Sequence, residues 1–148
     1  PDEIDSFLTL CTSVGGYVIF PAKKVNNQFT INQSRGINKR ICDRWDLTLE
    51  CIRLYYSNQP NPLSKTLANY TSFFNLFVDF KGYVQYFLMQ DLVSKDYNSV
   101  NFYLPHNEFD LNPIPKSVKE YRSYKKNVMT FITKRNLRIL EYCESVSI

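Results

Sequence analysis

Glycine is scarce in these 148 residues, with four in all, and histidine and tryptophan occur once each. So few glycines argue against a loop-dominated fold. The single histidine, His106, lies between Pro105 and Asn107 in a predicted loop, so Ser-His-Asp or Cys-His chemistry has only one residue to run through. No G-x-S-x-G elbow, P-loop, G-x-G-x-x-G, H-E-x-x-H or EF-hand loop occurs, which disfavours the common cofactor and nucleophile enzymes. The four cysteines, at 11, 42, 51 and 143, lack C-x-x-C spacing and read as buried free thiols. There is no secretory leader and no apolar run of membrane-spanning length. A reducing cytosol is therefore the default compartment, and no membrane contact is expected. The opening PDEIDSF also lacks an initiator Met, as a fragment or the ordered part of a longer chain would.

What the chain does contain is rings. Eleven Tyr and eleven Phe bring aromatics to 16%, with apolar residues at 44%, enough to build one real core without metal or disulfide. The net charge of +4 permits contact with an anionic partner without requiring it. Residues 1–148 read as one compact domain with no internal repeat and no linker.

The coarse reading is α+β, mostly α: about five helices around a central apolar helix, with a small β-hairpin. DEIDSFLTLC spaces Ile4, Phe7, Leu8 and Cys11 helically and ends at Gly15-Gly16. YVIFP and QFTIN flank the turn-like KKVNNQ, so residues 17–32 read as a hairpin. A helix is expected over 38–56, a break at SNQPNP, and another helix from Pro62. YVQYFLMQDLV is the expected central helix, NSVNFYLP a third extended segment, and Ser117–Cys143 the last helix.

Chemistry is best sought between Thr30 and Glu50. On a helix over 38–56, Asp43, Asp46, Glu50 and Arg53 share one face, opposite Ile41, Trp45, Leu49, Ile52 and Tyr56. Three acids on one stripe suit Mg²⁺ or Mn²⁺, or acid/base work, making Asp43, Asp46 and Glu50 the catalytic candidates. The plainer reading is a solvated face with structural ion pairs, Glu50 bonding Arg53 at i+3. No cofactor is otherwise expected. Asn32, Arg35, Asn38 and Arg40 in the preceding loop, with Arg53 and Arg135, are the binding candidates. Eight of the 18 Lys and Arg fall between Lys116 and Arg138, most of them projecting away from the last helix's apolar arc. Arg135 points into that arc, and an Arg there needs a carboxylate or a row of carbonyls. An acid, Asp46, Glu50 or Asp79, is the expected partner.

The collinear motifs GGYVIFPAKKV, TINQSRGINKRICDRWDLTLECIRLYY and NPLSKTLANYTSFFNLFVDFKGYVQYFLMQDLV resemble a family of uncharacterised prokaryotic and phage proteins, a domain of unknown function. The matching residues are Gly15-Gly16, Phe20-Pro21, Thr30-Ile31-Asn32, Arg35-Gly36 with Asn38, Asp43-Arg44 with Asp46, Phe80-Lys81-Gly82, Gln90-Asp91 and Arg135-Asn136. The chain departs at Trp45, where the family pattern has Phe, and at Leu54, where it has a second Arg. The second departure weakens a phosphate site built on paired arginines. The resemblance implies bacterial or phage origin, no established activity, and an additional N-terminal segment, which makes this chain a C-terminal portion. Three functions follow as expectations. The leading one is a non-catalytic domain that binds a protein or nucleic acid. The others are a carboxylate-dependent metal hydrolase or nuclease, and a structural domain completed by its own N-terminal segment.

Overall fold

The computed structural model describes residues 2–147. It contains α1 (Asp2–Cys11), α2 (Ile31–Ile37), α3 (Trp45–Tyr56), α4 (Ser64–Ala68), α5 (Thr71–Phe74), α6 (Phe80–Tyr86) and α7 (Val118–Val146). Single 3-10 turns lie at Val14–Gly16, Asn75–Phe77 and Gln90–Leu92. Among the described residues there is no strand, so the fold is all-α and the expected α+β class is corrected. The third extended segment is reduced to one isolated antiparallel bridge, Val93 to Val100.

The expected hairpin fails for a definite reason. Its turn is present, with Asn26 and Asn27 both at positive φ, but the arms give their backbone groups to side chains rather than to each other. Tyr17 O accepts from Arg135 and Lys23 O accepts from the Tyr70 hydroxyl at 2.9 Å. Thr30 leaves the strand pattern altogether and caps α2. Its Oγ1 accepts from Gln33 N at 3.2 Å while its own N–H donates to Gln33 Oε1 at 3.1 Å, a reciprocal capping box.

The helix expected from Asn38 starts at Trp45 instead. Cys42 and Asp43 adopt φ of 49° and 60°, which no α-helix tolerates, and Asp43 N donates back to Arg35 O at 3.1 Å. Asp43 therefore stands outside the helix, and the proposed acidic stripe does not exist as one face. Every residue from Trp45 to Ile52 is buried, so α3 is the central helix. YVQYFLMQDLV is not: it breaks after α6, where Leu88 takes φ 55°.

Around α3 lies an aromatic layer. Tyr83 packs on Phe74, Phe77 and Phe87 with ring centroids 5.9, 5.3 and 4.9 Å apart. Offset and edge-on pairs of this kind contribute roughly 0.5–1.5 kcal/mol each beyond burial. Helix α7 starts at Ser117, whose side chain accepts from Glu120 N, and turns Val128, Phe131, Ile132 and Arg135 inward. Helix α1 lies on α7 with no buried residue of its own. Gly15 then meets α7 so closely that a Cβ would sit 2.6 Å from Asn136 Oδ1 and 2.9 Å from Ile132 O. Only glycine fits there, and its N–H donates to Asn136 Oδ1 at 2.7 Å.

Candidate functional site

The turn at Gly15, the extended segment after it, α2, the start of α3 and the inner face of α7 enclose a cavity of about 430 Å³. Asn32, Arg35 and Asp43 from the sequence-derived candidates line it, together with Phe20, Trp45, Tyr103, Tyr124 and Phe131. Arg35 sits in the last turn of α2 and enters from the side. Its Nε donates to Thr48 Oγ1 at 3.0 Å, its Nη2 to Asp43 O at 2.6 Å, and its Nη1 pairs with the Asp43 carboxylate. The guanidinium also lies 5.9 Å from the Trp45 ring centre. Burial pulls the Arg35 pKa down, and the Asp43 charge opposes that pull. Asp43 faces outward, its side chain 71% exposed.

The other two acids are closed by other arginines. Asp46 is fully buried: Oδ1 accepts from Arg44 Nε at 3.1 Å, and Oδ2 from Arg44 Nη2 at 2.5 Å and Tyr103 N at 2.8 Å. Glu50 takes both Nε and Nη2 of Arg53, at 2.8 and 2.7 Å, and this bidentate contact raises the Arg53 pKa. The i+3 pairing is thus the one present. Three acids go to three different arginines. Among the described residues no group of three or more His, Cys, Asp or Glu is placed to hold a metal ion.

Arg135 is buried as its position on α7 required, but its partners are carbonyls. Its Nε donates to Phe87 O at 3.1 Å, and Nη1 to Gly15 O and Tyr17 O at 2.9 and 2.6 Å. No carboxylate reaches it among the described residues, which corrects the expected acid partner. Arg135 holds the segment that forms one cavity wall, and burial lowers its pKa. Asn38 and Arg40 stay outside. Asn38 Nδ2 donates to Pro62 O at 3.2 Å and its Oδ1 accepts from Arg40 N, while Arg40 Nη1 donates to Phe109 O at 3.0 Å. His106 also lies away, stacked on Phe102 at 4.2 Å and edge-on to Phe109 at 4.8 Å, where burial lowers its pKa.

The residues missed from sequence are the two tyrosines. Tyr103 is 4% exposed, and its ring meets Tyr124 edge-on at 5.6 Å. Neither hydroxyl has a protein partner among the described residues, and neither is sealed off as the orphaned Trp45 Nε1 and Tyr83 Oη are. Burial raises the pKa of both, keeping them protonated at neutral pH. Tyr124 had a legible signal, a hydroxyl on the apolar arc of the last helix; Tyr103, in a connection, had none. Burial also raises the pKa of Cys11, another wall residue, so it stays a thiol. The wall therefore offers hydrogen-bond donors and apolar rings rather than a nucleophile.

Fold and cavity together define an all-α domain with a half-open cleft lined by rings and hydrogen-bond donors. The chain belongs to the family of unknown function DUF6994, matched over residues 1–139, in line with the resemblance its motifs carry. No curated protein and no solved structure matches it. Among the described residues no helix is long and apolar enough to cross a membrane.

Proposed function

We propose that this is a non-catalytic binding domain whose site is the cavity between Arg35 and α7. The observation carrying this reading is the pair of unpartnered hydroxyls, Tyr103 and Tyr124, on the wall of a cavity of about 430 Å³. That volume falls within the range of small-molecule sites, and the wall mixes aromatic rings with several convergent polar groups. The hydrolase reading finds less support. Asp46 and Glu50 are saturated by Arg44 and Arg53, and Asp43 turns away from both. The test is titration with uncharged and charged aromatic fragments, read by the emission of Trp45, the sole tryptophan, and by the amide shifts of Gly15, Gly16 and Asn32. Binding moves these signals together. A set of fragments that moves none of them refutes the reading.

A second reading, contact with a nucleic acid or an acidic protein, rests on α7. Lys125 is paired with Glu3 and Arg138 with Asp91, but Lys119, Arg122 and Lys126 stay exposed along one stripe without an ion pair among the described residues. Such a stripe suits a phosphate backbone, and its signature is an oligonucleotide affinity that falls steeply with salt.

A further inference from the structure

Unengaged donors outnumber carboxylates on the cavity wall. Arg35 spends three of its five N–H groups, on Thr48 Oγ1, Asp43 Oδ1 and Asp43 O. Arg135, directly behind Gly15 and Tyr17, has no bond from Nη2 and no carboxylate among its partners. Tyr103 and Tyr124 bring two free hydroxyls, and Asn32 an unengaged amide. Two more donors nearby, Trp45 Nε1 and Tyr83 Oη, are buried without any acceptor. Against these stands one wall carboxylate, Asp43, already bound and turned to solvent. The charge balance points the same way. Arg44 is neutralised by Asp46 and Arg35 by Asp43, which leaves Arg135 buried with its charge uncompensated. Arg135 stands behind the wall with carbonyl partners only, and its charge adds positive potential there, which favours an anionic ligand.

Resting on the reading of the cavity as a binding site, we infer that its ligand is a small organic oxyanion, a carboxylate or phosphate monoester on a flat apolar body. The anionic head lies toward Arg35 and the two tyrosine hydroxyls, and the body lies against Phe20, Trp45 and Phe131. Hydroxyl and guanidinium donors to an oxyanion make the stronger, charge-assisted kind of hydrogen bond, and an indole and two phenyl rings supply the apolar faces.

The experiment compares phenylacetate, phenyl phosphate and the uncharged phenylacetamide, each titrated into the intact protein and read by Trp45 emission and the Gly15, Gly16 and Asn32 amide shifts. Either anion is expected to bind at least about tenfold more tightly than the amide, and which anion is preferred identifies the head group. Tyr124→Phe and Tyr103→Phe, whose hydroxyls have no partner among the described residues, should each weaken the anions about tenfold and the amide, which accepts only a neutral hydrogen bond, by clearly less. Arg35→Lys should weaken the anions too, but it also removes the bonds to Thr48 and Asp43, so the tyrosine variants decide. Equal binding of anion and amide, or anion binding indifferent to both Phe variants, overturns the oxyanion assignment while leaving a binding cavity. If no compound binds, the binding reading falls with it.

Discussion

Replacing Asp46 by Asn separates a closed structural acid from a reactive one. Asp46 is fully buried and accepts three hydrogen bonds, two from Arg44 and one from Tyr103 N. Asparagine keeps the shape but has one acceptor oxygen. With that oxygen in the Oδ2 position it still serves Arg44 Nη2 and Tyr103 N, and its NH₂ is then driven against the Arg44 Nε–H. Arg44, 5% exposed, is left with no counter-charge. Breaking one side of a buried pair costs about 3–5 kcal/mol, a large part of the roughly 5–15 kcal/mol that holds a domain together. For a domain of this size that lowers the melting temperature by roughly 10 °C. Urea unfolding of D46N supplies the free energy, and thermal unfolding with and without Mn²⁺ supplies the control. The double variant Arg44→Met with Asp46→Leu should recover part of the loss, because an apolar pair strands no charge, although Tyr103 N and Pro113 O lose their partners. A D46N midpoint within about 0.5 kcal/mol of the parent, the scale of an ordinary surface change, would refute the lock. So would an Mn²⁺-induced stabilisation that D46N abolishes, since the acid would then be holding metal rather than Arg44.

Three further outcomes are expected. Burial lowers the folded pKa of His106 below its ordinary value of about 6.5, so the unfolded chain takes up the proton first; stability is full above that value and falls as pH drops toward and through the folded pKa. Urea midpoints measured between pH 7 and 5 should show this loss, and His106→Phe, which keeps the ring stacking on Phe102, should flatten it; an unchanged slope would contradict the assignment. Arg135→Met strands the carbonyls of Gly15, Tyr17 and Phe87 and should cost about 3 kcal/mol or more, with amide exchange rising first around residues 13–17. Val78 is a β-branched, exposed residue at φ 71°, ψ −56°, and V78G should raise the unfolding free energy from urea melts by about 0.5–1 kcal/mol as relieved strain outweighs the entropy of glycine. A destabilised V78G would show that the turn carries no strain.

Long-period patterns were legible. DEIDSFLTLC gives α1, the break after Tyr56 is real, and α7 begins at Ser117 and presents Val128, Phe131, Ile132 and Arg135 inward as its arc required. The errors came from backbone events that leave weak marks. The T-x-x-Q of Thr30 and Gln33 is a capping box, a readable helix start, yet the β-branched residues around it suggested a strand. Cys42 does not announce positive φ, and the tolerance of Asp43 for it is too weak a mark to stop a helix, so the helix drawn through them put Asp43 on a face it never joins. For Arg135 both kinds of partner were open, and the tertiary contact with Gly15 and Tyr17 decided for carbonyls. Arg35, Asn32 and Asp43 do line one cavity, but Tyr103 joins them only through a fold-level approach that no local sequence encodes.

The bond from Gly15 to Asn136 spans 121 residues, and the Glu3–Lys125 pair spans 122. Helix α1 has no fully buried residue, and it leaves the ribosome well before α7, the helix it lies on. At about 5–20 residues per second, several seconds pass before α7 follows it out. The middle of the chain can gather around α3 in that interval, whereas the wall made by Gly15 and Tyr17 must await the Arg135 side chain. Residues 13–17 are thus made early but fixed late, and this side of the cavity forms only when α7 reaches them.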